Sequence, residues 1–137
     1  MGKRSTGRKL AMQLLFQSFM KGLDSKTIRD HFESDTHYHV ETKRWAVELF
    51  EGASDESEKV NELIRKYAID WDLDRLNMVD RSILHLAFYE LLCTKTHYSV
   101  VLNEAIELSK KYSTEESPKF VNGVLGEYVK HVYGNNC

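Results

Sequence analysis

A single proline, two cysteines and no acidic residue before Asp24 are the conspicuous shortages of this 137-residue chain. Scarce proline and only seven glycines, beside 42% hydrophobic and 29% charged residues, exclude a disordered or low-complexity chain and suit a globular helical one. Cys93 and Cys137 are too few for a disulfide framework and fit a reducing cytosol. No apolar run approaches the roughly 18 residues of a membrane-spanning helix, and the first residues lack a signal-peptide pattern. The expected location is therefore cytoplasmic. Strand-like alternation is missing throughout, which leaves an all-α fold. A chain of this size buries roughly 68–70% of its unfolded surface, enough for a core without staples.

The shortage of acid is local. Residues 1–23 carry Lys3, Arg4, Arg8, Lys9 and Lys21, a charge of +5, while the rest of the chain holds 14 basic and 21 acidic side chains. A basic arm (residues 1–9) on an acidic body suits local contact with a polyanion and repulsion elsewhere. An ordinary solvated N-terminus explains a four-charge cluster about equally well.

Motifs of catalysis are missing as well. The chain has no phosphate-cradling glycine loop, no nucleophile elbow and no HExxH pair. Among six histidines, His37 and His39 are the best metal candidates, but no third ligand stands at sensible spacing. The alternating aspartates 70, 72 and 74 suggest a calcium loop, yet its sixth and twelfth positions are Arg75 and Arg81 rather than glycine and glutamate. A capping turn explains them better. No metal and no cofactor is expected, and the chain does not read as an enzyme.

What is present is helical periodicity. Residues 79–92, VDRSILHLAFYELL, place nine apolar or aromatic side chains around most of a helix and leave a narrow seam of Arg81, Ser82 and His85. Such a helix must be surrounded by others. Glu90 projects among Val79, Ile83 and Leu86, where a carboxylate needs a partner; a structural acid is a simpler reading than a catalytic base. Before it, residues 5–21 put Ala11, Met12, Leu15 and Phe19 on one face and Phe16 on the boundary. Gly22 ends that helix, and Asp24 or Ser25 caps a short one with Ile28 and Phe32 buried. Residues 40–67 form one long helix or two. Residues 99–112 bury Val101, Ala105, Leu108 and Tyr112. A last helix follows Ser117 as N-cap and Pro118 at its first position, with Val121, Val124, Leu125, Tyr128 and Val132 inward. Gly123 and Gly126 within it cost about 1 kcal/mol each relative to alanine, so a close neighbour is expected there.

Several of these segments together resemble the NusB family of bacterial transcription antitermination factors. They are RxxAxQxLF at 8–16, W-x-L-x-R at 71–75, VDRSILHLAFYEL at 79–91, VLNEAIELSKKY at 101–112 and S-x-K-FVNGVL at 117–125. Residues 24–66 match only in length and helical character. His85 stands where the family commonly has arginine, and the turn before Val100 lacks the usual proline.

The resemblance implies a single domain over 1–137 of about seven helices in two small bundles, divided between about 5–67 and 71–134. It implies a factor that binds boxA-type single-stranded RNA together with NusE, a small-subunit ribosomal protein. That complex joins other Nus factors on RNA polymerase and promotes read-through, notably in ribosomal RNA operons. RNA contacts are expected at Lys3, Arg4, Arg8 and Lys9, at Lys119 and Phe120, and at His85 as a weaker, pH-dependent donor. Phe16, Asp80 and Glu116 are expected to face NusE. The resemblance also allows a homodimer. The alternative reading is a helical protein–protein interaction module with no RNA binding of its own.

Overall fold

The computed structural model describes residues 3–35, 37–68 and 76–134. They form seven helices and no strand: α1 (Lys3–Lys21), α2 (Ser25–Glu33), α3 (Val40–Asp55), α4 (Ser57–Tyr67), α5 (Met78–Cys93), α6 (Tyr98–Tyr112) and α7 (Ser117–Tyr133). The aspartate-rich turn and the W-x-L-x-R motif lie outside the described residues. Among the described residues no helix is long and apolar enough to cross a membrane.

Local chemistry sets the helix ends. Gly22 takes a positive φ of 65° after α1, a conformation glycine adopts without steric cost. The Asp24 carboxylate then accepts the Thr27 N–H at 2.8 Å and caps α2. His39 and His97 cap α3 and α6, their Nδ1 atoms accepting the Glu41 and Ser99 N–H at 3.2 and 3.1 Å. The pattern over 40–67 resolves into two helices that part at Glu56.

α5 is the centre of the molecule and packs on α1, α3, α4, α6 and α7. Its Ile83, Leu84 and Phe88 are fully buried, each worth ~1.5–3 kcal/mol of apolar burial. Phe88 meets Tyr128 of α7 edge to face at 5.2 Å. α1, α2 and α3 form one group; α4 packs on α5 and α7 more than on α3. The hydrophobic face of α4, with Val60 and Ile64 buried, is turned toward α5 and α7.

Two glycines mark close approaches. A Cβ on Gly7 would lie 2.2 Å from Trp45 Cδ1, and one on Gly52 2.2 Å from Tyr89 Cζ. Bare backbone at these points lets α3 lie against α1 and α5 against α3. Gly123 and Gly126, where a neighbour was expected, have none: a Cβ at either meets nothing within 4 Å. Tyr112 and Val132, expected in the core, are 41% and 53% exposed, and Val129 is buried instead. Both outward residues sit at the last turn of their helix, where the chain runs past the packed layer.

Three polar constellations lie in the interior among the described residues. Arg8 of α1 is buried and donates from Nε and Nη2 to the two Glu90 oxygens at 2.8 and 2.9 Å; Glu104 accepts from Arg8 Nη1 at 3.3 Å and from Ser5 Oγ at 2.7 Å. Burial opposes the Arg8 charge, but these carboxylates raise its pKa above the ordinary arginine value. Asp80 accepts from Ser113 Oγ at 2.6 Å and Ser117 Oγ at 2.9 Å. His85 is fully buried, with Nε2 3.0 Å from Asn61 Oδ1 and its ring edge-on to Phe19 at 4.9 Å. Two of the three seam residues of α5 are thus buried: His85 is covered by Asn61 of α4 and Phe19 of α1, and the Ser82 hydroxyl donates back to Met78 O at 2.8 Å.

Candidate nucleic-acid interface

The basic N-terminus is not a loose arm. Helix α1 begins at Lys3, so the cations of this segment stand on a helix at fixed spacing. Arg8 points inward and is consumed by Glu90; its expected role as an RNA contact does not survive its burial. Arg4 and Lys9 stay on the outer flank. The Arg4 guanidinium lies 3.8 Å over the Trp45 ring of α3, and Lys9 Nζ 5.6 Å from the Tyr38 ring in the α2–α3 turn. Lys43 Nζ is 5.8 Å from Phe32 and is tied to the carbonyls of Glu33 and Asp35. Cations and rings therefore alternate along the rim shared by α1 and α3, an arrangement suited to an anionic, base-bearing chain.

From this rim a groove runs between α1 and α6, lined by Ser5, Thr6, Lys9, Glu104, Glu107, Leu108, Lys111 and Tyr112. Its acids are partly neutralised: Glu104 by Arg8 and Ser5, Glu107 by Lys110 at 3.4 Å. Tyr112 ends α6, and the short turn after it delivers the start of α7. There Lys119 is exposed and Phe120 half-buried. Asp80 holds this junction together by binding the Ser113 and Ser117 hydroxyls. Ser117 is the first residue of α7 rather than its cap, which is Glu116, without a side-chain cap bond.

Two further expected contacts are displaced inward. His85, expected as a pH-dependent RNA donor, is fully buried, and that burial, aided by the Arg81 charge, lowers its pKa to about 3. Asp80 is 6% exposed, so any influence on a partner passes through the α7 start it anchors. Glu116 is exposed beside it, and Phe16 is half-buried on α1. Tyr38, Trp45 and Lys111 were not anticipated. Trp45 sits at the edge of the buried stripe of α3, where helical periodicity gives no signal of function. His37 and His39 do not form a centre: His37 Nδ1 is 2.7 Å from Asp35, His39 caps α3, and no metal-capable group of three assembles among the described residues.

The model of the NusB family matches residues 5–130. The chain belongs to the NusB family. A relative from Streptomyces coelicolor, the transcription antitermination protein NusB, is 44% identical over 131 residues and covers 92% of each chain. Among solved structures, T. maritima NusB superimposes with a TM-score of 0.81 at 36% identity, over 95% of this chain and 92% of that one. A crystal structure of antitermination factors NusB and NusE in complex with dsRNA matches at TM-score 0.83 and 27% identity, over 96% and 98% of the two chains. These relatives bear the name of a transcription factor rather than of an enzyme.

Proposed function

We propose that this NusB-family chain binds boxA-type single-stranded RNA together with NusE and promotes read-through by RNA polymerase, in company with other Nus factors. The observation that carries this is the rim of exposed Arg4 and half-buried Lys9 interleaved with Trp45 and Tyr38, beside the α1–α6 groove that Lys9 and Lys111 line; Lys119 and Phe120 are proposed as further RNA contacts. Single-stranded RNA needs both a cationic track for phosphates and rings for bases. The solved NusB–NusE–RNA relative supports the two partners. The NusE-facing surface is assigned to Phe16 and Glu116, with Asp80 holding the α7 start behind them.

Mobility-shift titration of boxA RNA, with and without NusE, tests this reading. RNA alone binds weakly and NusE tightens it. The log–log salt slope is about −2 to −3, the value for three or four phosphates on a single strand. Binding that is independent of salt or blind to the boxA sequence overturns it. Absence of RNA binding even with NusE would leave the protein-only interaction module, and sedimentation of the free chain reports whether the same surface is instead covered in a homodimer.

A further inference from the structure

Trp45 has features that its packing role does not use. Its indole is half-buried, with its Cδ1 edge seated where Gly7 has no Cβ, the exposed Arg4 guanidinium 3.8 Å over the ring and the buried Arg8 guanidinium 6.0 Å from it. Its Nε1–H is buried without a hydrogen-bond partner, so packing, not a polar tether, fixes the ring. The cover is a planar, solvent-accessible guanidinium, a group with the footprint and the ring preference of a nucleobase. Glu41 and Glu48 stand one turn to either side of Trp45 on α3 and are exposed. They disfavour a phosphate over this face but not a neutral base.

We infer that Trp45 is a stacking platform for one base of the bound RNA and that Arg4 closes it in the free protein. On binding, the base takes the indole face and Arg4 turns to the adjoining phosphate. Charge decides between this occupant and a cationic side chain of a partner protein. An incoming arginine would have to displace a like charge and leave Arg4 without a partner. A nucleotide supplies a ring for Trp45 and an anion for Arg4 in the same exchange. The inference rests on the RNA-binding reading above and adds a site to it.

The test is tryptophan emission of the full chain titrated with boxA RNA in the presence of NusE, beside a mobility shift on the same samples. Quenching is expected in the parent and lost in Trp45→Phe, which retains only Trp71. An abasic nucleotide walked along the RNA should abolish the quench at one position. Trp45→Leu should weaken binding roughly 5- to 150-fold, the range of one base–aromatic stack. Arg4→Gln should keep the quench while lowering the salt slope by about 0.7, one single-strand phosphate. RNA that shifts without quenching at Trp45 overturns the platform and leaves the RNA reading standing. Quenching by NusE alone, unchanged by RNA, assigns the face to a protein cation and also overturns it. No shift with any RNA removes both.

Discussion

Arg8 and Glu90, 82 positions apart, close a two-point ion pair inside the protein, with both donor–acceptor distances below 3 Å. The pair joins the first helix to the central one and settles the direction of α1. With Arg8 drawn inward, Arg4 and Lys9 are left on the outer flank. One arginine that belonged to the basic cluster in the sequence is thereby spent on holding the others in position.

Breaking this pair should be costly and repairable. Glu90→Ala leaves the buried guanidinium with Glu104 alone at 3.3 Å and should lower unfolding free energy by about 3–5 kcal/mol, read by urea denaturation. Arg8→Met combined with Glu90→Leu should recover most of the loss, because two apolar groups of similar volume replace the buried pair while Glu104, part-exposed, keeps the Ser5 hydroxyl as donor. A double variant no better than the single one would argue against the pair as the cause.

Asp80 should behave as a structural anchor of the α7 start. Asp80→Ala removes the acceptor of the Ser113 and Ser117 hydroxyls and should cost about 1.5–3 kcal/mol, the range for hydrogen bonds to a charged group. Hydrogen exchange should accelerate first in α7. If stability is unchanged and only NusE binding falls, Asp80 is a surface contact after all.

His85 makes stability sensitive to acid. Its pKa is depressed to about 3 in the folded chain from the ordinary histidine value of 6.5, so the unfolded chain binds the extra proton between these values. Its contribution is present above about pH 6.5 and shrinks as pH falls toward 3, by up to ~1.4 kcal/mol per pH unit. His85→Gln, which retains a donor toward Asn61, should flatten this limb of the stability–pH curve. Parallel curves for parent and variant would rule out His85 as its source.

The four helical glycines should separate into two classes. Gly7→Ala and Gly52→Ala drive a Cβ into Trp45 and Tyr89 and should each cost about 1–3 kcal/mol through overpacking. Gly123→Ala and Gly126→Ala enter open space and should stabilise α7 by about 0.5–1 kcal/mol. Thermal melts of the four variants distinguish these signs.

The helical class, the interior position of α5, the need of Glu90 for a partner and the family were all legible in the order of residues. Periodicity and motif are local, and α5 is apolar nearly all round, so no neighbour had to be known. The direction of individual polar side chains was set by tertiary packing. Arg8, Asp80 and His85 are hydrophilic in any one-dimensional reading, yet each is buried because a partner far along the chain, Glu90, Ser113 with Ser117, or Asn61, supplies its hydrogen bond. Trp45 shows the reverse. Its stripe in α3 predicts packing, and only the approach of Arg4 from another helix reveals a ring with a covered but reachable face. Burial of a polar group depends on who is opposite it, and that is a property of the fold rather than of the residue.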